Sequence, residues 1–240
     1  MSRATLTARP LPPVASRDEW EAAREELLAA EREVLAKVRE MAARRKALPM
    51  TRIEEDYSFE GPAGPVKLSD LFEGRSQLIV YHFMFHPDWQ DGCEGCSMYV
   101  DGVPHLAHLH ARDASFALVS RAPIETLLAY RRRMGWDFPW YSSAGSSFNR
   151  HFEATVGDSE HPGLSVFMRD GDDVYLTYRG HDWVVQADGV ASFIDLLPYG
   201  SQEHGEVVPE GWPQGDKYTW MRRHDEYHTG LPAPSTVLDG

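Results

Sequence analysis

Apolar residues along the chain change their period twice. From Arg17 to Ala47 they recur every three or four positions, at Trp20, Ala23, Leu27, Ala30, Val34 and Met41, which predicts one long helix with an apolar stripe. Ser16 with Glu19 three residues on is a capping-box signature, and Pro49 stops the helix. Short apolar runs broken by turn residues follow. Val66 to Phe72 reads as a strand end entering a helical turn. Gln77 to Phe85 is almost continuously apolar, β-branched and aromatic, the pattern of a central strand covered on both faces. Ala114 to Ser120 is a second buried strand, and Ser97 to Arg112 between them reads as a helix beginning at or near two cysteines. Pro123 opens a helix from Ile124 to Met134. Phe138 to Ser142 is a short strand, and Ser147 to Phe152 is one or two helical turns. Gly163 to Arg169 and Val174 to Arg179 form a hairpin around Asp170-Gly171-Asp172-Asp173. Val190 to Leu197 is a last helix. Strands alternating with helices, then a hairpin, predict an α/β layered fold. The expected organisation is a disordered segment at 1–15, a helix at 16–48, a domain at 49–200 and a Gly-, Pro- and Trp-rich tail at 201–240. That tail is expected to wrap the domain and to be mobile beyond Tyr227.

Composition narrows the functional classes. With 240 residues, 42% hydrophobic and 25% charged, the chain has the make-up of a soluble globular protein able to bury a core without staples. Its net charge of −13 repels phosphate backbones and anionic headgroups, which argues against nucleic-acid and membrane partners. The basic clusters Arg44-Arg45-Lys46 and Arg131-Arg132-Arg133 fall at the C-terminal ends of predicted helices, where cations offset the dipole. Residues 1–13 carry no apolar run of signal-peptide length, and Leu78 to Phe85 is too short to span a bilayer, so a cytoplasmic location is expected. In the long helix the acids crowd the first half and the bases the second. It is expected to pack on its own domain or to join two copies as a homodimer.

Candidate chemistry centres on Gly92-Cys93-Glu94-Gly95-Cys96, between a buried strand and a helix. Disulfide exchange needs two thiols close enough to close a small ring and the attacking one partly ionised. Two intervening residues at a helix start meet both needs: the first thiolate gains from the helix N-terminus and the second waits one turn in. Dithiol exchange is therefore the leading reading. An alternative is a copper or zinc site built from Cys93, Cys96, His82 and His86, since His82, Met84 and His86 alternate along the strand. Two inert buried thiols are the third. Asp88, Asp91 and Glu94 should oppose thiolate formation, and a protonated His86 would favour it; a reducing or mildly reactive pair is expected. Trp89 could shield the site and Tyr99 line it. His105 and His108 are neighbours on one helix face. His224 and His228, in Arg222-Arg223-His224-Asp225-Glu226-Tyr227-His228, lack the HExxH spacing, and a surface or clasping segment is the simpler reading. GxGxxG, phosphate-loop and GxSxG motifs are missing, so nucleotide and nucleophile-elbow chemistry lack support.

Ser76 to Phe85, Asp88-Trp89, Gly92-Cys93 to Cys96-Ser97, Val119 to Pro123, Met134-Gly135-Trp136, Phe138-Pro139-Trp140, Ser142-Ser143, Gly145 to Asn149 and Arg222 to Tyr227 together resemble a bacterial family labelled domain of unknown function 899. That family is described as thioredoxin-like with predicted dithiol–disulfide oxidoreductase activity, and the likeness spans about residues 16–228. The resemblance implies a central mixed sheet with helices on both faces, with the long N-terminal helix and the tail as additions. It implies Cys93 as nucleophile, Cys96 as resolving thiol, a disulfide or thiol substrate and a thiol reductant, with no cofactor. It also implies a cis-proline facing the thiols, for which Pro162 is the matching position, so Pro162 and Trp89 are the expected substrate contacts. Departures are Gly92 where thioredoxins carry Trp, Glu94-Gly95 in place of Gly-Pro, and Gln90 where peroxiredoxins need Thr or Ser.

Overall fold

A computed structural model of the chain describes residues 10–181 and 189–227. Helix α1, Arg17–Lys46, starts on the predicted box: the Ser16 hydroxyl accepts from the Glu19 amide while the Glu19 carboxylate accepts from the Ser16 amide at 2.9 Å. None of its residues is buried, and Trp20, Leu27, Val34 and Met41 are exposed. Near its C-terminal end Arg45 lies over the Tyr178 ring at 5.6 Å, so α1 touches the domain without burying a residue of its own. After α1 come the short strands β1 (Thr51–Arg52), β2 (Ser58–Gly61) and β3 (Gly64–Lys67), then a 3-10 turn at Asp70–Phe72.

The central strand β4 is Gln77–His82, followed by helix α2, Glu94–Asp101. β4 ends three residues earlier than its apolar run. Phe83 still bonds across to Val119, but the Met84 and Phe85 carbonyls accept amides from Cys93 and Ala122, so the chain turns out of the ladder there. The helix expected over 97–112 is two helices. Gly102 caps α2, Pro104 cannot donate to the next turn, and α3 resumes at Ala107–His110. Strand β5 (Ala114–Ser120), helix α4 (Ile124–Arg133), strand β6 (Trp140–Ser142) and helix α5 (Phe148–His151) follow. A small hairpin, β7 (Thr155–Val156) and β8 (Ser159–Glu160), precedes the long one, β9 (Gly163–Asp170) and β10 (Asp173–His181). The last helix is α6, Gly189–Ile194. The disorder expected at 1–15 falls largely on residues 1–9, and the mobility expected past Tyr227 falls on 228–240. Both, with His228, lie outside the described residues.

Eight strands form one sheet in the order β1-β10-β9-β4-β5-β6-β2-β3. β4, β5 and β6 are parallel, and β9 runs antiparallel to β4 with His82 opposite Gly163. The segment β10-β9-β4-β5, a parallel pair joined through α2 and flanked by an antiparallel hairpin, is the thioredoxin-like layout with a central mixed sheet. Alternation along β4 sends Tyr81 into a core with Phe83, Phe85, Tyr99, Tyr130 and Trp140, under α2 and α4. Leu78 and Val80 enter a second core with Phe59, Phe72, Phe148 and Phe167, covered by α5 and the 3-10 turn. Helices thus lie on both faces. No helix among the described residues is long and apolar enough to cross a membrane.

Candidate active site

The loop leaving β4 returns to it before α2 begins. The Cys93 amide donates to the Met84 carbonyl at 3.1 Å, which brings residue 93 back beside the strand end. Gly92 makes this return possible: a Cβ there would lie 2.7 Å from Cε1 of the buried Phe83 ring and 3.1 Å from Cε1 of Tyr130. Cys93 is the N-cap of α2, with φ −55° and ψ 132°, and its sulfur accepts the Cys96 amide at 3.5 Å. The sulfur takes the place of the oxygen in an ordinary cap.

Position separates the two thiols. Both are free; Cys93 is half-buried, and Cys96 is 2% exposed in the core under α2. The hydrogen bond from the Cys96 thiol, followed by the amides of Cys96 and Gly95, pulls the Cys93 thiol down to about 6 against burial and the Glu94 charge. Burial, then the Cys93 sulfur itself, pushes the Cys96 thiol well up. The hydroxyl of Tyr81, stacked on Tyr99 at 4.4 Å, also bonds to Cys96. The surroundings therefore favour the thiolate at Cys93, with Cys96 as the thiol that donates to it.

A model for a bacterial protein of unknown function (DUF899) matches residues 9–227. The chain belongs to this family. No curated protein matches it. Among solved structures, a mutant of PrxQ from Xylella fastidiosa is 13% identical, with 61% of this chain and 94% of that one covered, at a TM-score of 0.47. A mutant of peroxiredoxin Q from Xanthomonas campestris is 15% identical, covering 62% and 97%, at 0.46. A candidate thiol:disulfide interchange protein DsbE from Chlorobium tepidum is 13% identical, covering 62% and 96%, at 0.40. These are distant likenesses.

In this DUF899 chain Glu94 does oppose the thiolate, as expected, and it and Asp91 each have an arginine partner. Asp91 is bound by Arg133 at 2.7 Å, and Glu94 lies 3.6 Å from Arg223. Asp88 is exposed and its amide donates to His86 Nδ1 at 3.1 Å. In the neutral ring the His86 proton is then on Nε2, which faces Asp158 at 3.2 Å. Asp158 also meets Arg121, whose Nε binds the buried Glu160, and Glu160 accepts from the Thr155 hydroxyl at 3.0 Å.

The four residues of the alternative metal site are not brought together. His82 stacks on Phe148 and Phe152, in the core away from the cysteines, and its Nε2 is 2.8 Å from the Ser165 hydroxyl. Met84 packs in the other core with Cys93, so the alternation expected for His82, Met84 and His86 ends with the strand at His82. Among the described residues no three His, Cys, Asp or Glu are placed to hold a metal ion. His105 and His108 are ring neighbours at 6.4 Å only. Tyr99 does not line an open site; it is buried against Tyr81. Trp89 is 38% exposed, its ring 6.1 Å from that of His86. Pro162 does precede β9 and is half-buried, but the cis bond expected there is trans, the lower-energy isomer. The amide of His161, just before it, is held by the Ala154 carbonyl at 2.9 Å.

Sequence reasoning read Arg222–Tyr227 as a surface or clasping segment of a tail that could cover the site, and singled out none of its arginines or acids. Arg223 donates to the Gly92 carbonyl at 2.7 and 3.2 Å and to the Tyr130 hydroxyl at 3.0 Å. Arg133 grips Asp225 and Glu226, and His224 meets Asp101 at 2.9 Å. The signal available was a dense charged run. Its partners, 131 and 93 positions away, have no trace in local pattern.

Proposed function

We propose that the protein is a thiol–disulfide oxidoreductase in which Cys93 attacks and Cys96 resolves. The observation that carries this reading is the asymmetry of the pair: a sulfur that caps the helix start and accepts the Cys96 amide, its thiol pulled down to about 6, and a second, buried sulfur one turn inward whose thiol is pushed up. The Cys93 thiolate attacks one sulfur of a substrate disulfide. A Cys93–substrate bond forms, the substrate S–S bond breaks, and the leaving thiolate takes a proton from water. Cys93 then no longer carries charge. The part of the Cys96 elevation that came from the Cys93 thiolate disappears, while the Tyr81 hydroxyl and the Met84 backbone still favour a Cys96 thiolate. Cys96 loses its proton, attacks Cys93 and releases the second substrate thiolate. A Cys93–Cys96 disulfide remains, the substrate has gained two electrons, and an external dithiol resets the protein.

The Glu94-Gly95 pair lets the two sulfurs close, since glycine gives way most easily where the ring must form. Exposed Trp89 and half-buried Pro162 are the side chains we assign to substrate contact. The test is disulfide reduction by the dithiol form with two variants. Cys93→Ser is expected to abolish turnover. Cys96→Ser is expected to stall as a covalent adduct of substrate and Cys93, visible by intact mass. Full turnover by both variants would refute the mechanism.

A further inference from the structure

We propose that Arg223, delivered by the C-terminal segment, is a positioning residue for Cys93, holding the peptide groups on both sides of the thiol and neutralising the charge beside it. The inference rests on the reading of Cys93 as the attacking sulfur.

Three contacts converge on this role. On the N-terminal side of Cys93, two guanidinium nitrogens of Arg223 hold the Gly92 carbonyl at 2.7 and 3.2 Å. On the C-terminal side the connection is a relay. Arg223 Nε, whose single proton is shared with the Gly92 carbonyl, donates to the Tyr130 oxygen at 3.0 Å, the Tyr130 and Ser97 hydroxyls are 2.8 Å apart, and Ser97 donates to the Cys93 carbonyl at 2.8 Å. Ser97 has one proton and gives it to Cys93, so Tyr130 is the donor to Ser97 and Arg223 the donor to Tyr130. Every link points the same way, which polarises the chain and strengthens each bond. Arg223 Nη1, finally, lies 3.6 Å from Glu94, the carboxylate that works against the Cys93 thiolate.

The arginine is itself fixed. Its side chain is 14% exposed, and Glu226 of the same segment holds Nη1 at 3.0 Å. Glu226 is bound in turn by Arg133 of α4, which also binds Asp225 and Asp91. Only a planar fork can serve the Gly92 carbonyl, Tyr130 and two carboxylates together; a lysine ammonium cannot. Charged and titratable groups reach the Cys93 neighbourhood from every side: Glu94 and Cys96 on α2, Tyr81 on β4, Tyr130 on α4, Asp91 in the loop, and Arg223 and Glu226 from the tail. Of these, Arg223 is the cation that touches both the loop backbone and the opposing carboxylate.

The experiment is the rate of Cys93 alkylation by iodoacetamide against pH, resolved by peptide mass spectrometry, in the full chain. Wild type is expected to titrate with a midpoint near 6. Arg223→Ala is expected to raise that midpoint by about one pH unit and to cut the rate at pH 6 about five-fold. Arg223→Lys should restore part of the loss, and Glu94→Gln added to Arg223→Ala should restore part as well. A tail that served only as a structural strap would lower the melting temperature and leave the midpoint in place. An unchanged midpoint in a folded Arg223→Ala protein overturns the proposal. If that variant does not fold, Tyr130→Phe carries the test, because it removes the donor to Ser97 while leaving the tail; a midpoint equal to wild type overturns the relay. A wild-type midpoint near 9 refutes the thiolate reading itself, a result separate from any effect of Arg223.

Discussion

Replacing Gly92 by alanine adds one methyl group at the point where the loop closes on β4. The new Cβ would stand 2.7 and 2.9 Å from two atoms of the Phe83 ring. That ring cannot step aside: it is 1% exposed and meets Trp140 at 4.8 Å, Trp136 at 6.1 Å and Tyr81 at 6.3 Å. The backbone must therefore give, and it gives at the residue whose carbonyl Arg223 holds and whose neighbour caps α2. Overpacking a well-filled core costs about 1–3 kcal/mol, and the upper half of that range is expected here because the obstructing ring is itself locked. Urea unfolding reads the cost. Gly145→Ala is the control, since a Cβ there meets nothing within 4 Å and should change stability by less than about 0.5 kcal/mol. The same displacement should loosen the Cys93 cap, so alkylation of Cys93 at pH 6 should fall together with stability. Equal urea midpoints for the two variants would refute the steric reasoning.

Glu160→Ala leaves the buried Arg121 guanidinium without its main partner and should cost roughly 3–5 kcal/mol; a loss below about 1 kcal/mol in urea would contradict the buried pairing. Cys93 has a folded-state pKa below that of a free thiol, so its stabilisation is complete above pH 9 and is lost as pH falls through about 6. Cys96, raised instead, loses stability only above pH 9. Unfolding free energy should thus fall by a few kcal/mol from pH 9 to 6, roughly 1.4 kcal/mol per unit of separation, and Cys93→Ser should flatten that slope. Trp20, Leu27, Val34 and Met41 form an exposed apolar stripe on α1, the surface through which the sequence led us to expect a homodimer. Leu27→Glu with Val34→Glu should halve the sedimenting mass; a wild-type monomer would remove that expectation.

Local chemistry explains which features were legible before the structure. The Ser16–Glu19 box, the β4 run, the hairpin about Gly171 and the cysteines at a helix start all depend on neighbours within a few residues. One miss was local too: Gly102 and Pro104, inside the expected helix, split a run that periodicity alone would continue. The other misses depend on distant partners. The strand face of His82 depended on where β4 ends, which amides of Cys93 and Ala122 decide. That Glu94 opposes the thiolate was legible, but the arginines that pair with Asp91 and Glu94 were not, because Arg133 and Arg223 lie 42 and 129 positions further along the chain.

The most direct test of the thiolate–thiol asymmetry is site-resolved alkylation of the reduced wild-type protein across pH 4 to 10. Cys93 should react first, with an apparent midpoint near 6, and Cys96 only when the protein unfolds or the solution is strongly alkaline. Equal reactivity of the two sulfurs, or reaction of Cys96 before Cys93, would contradict the account.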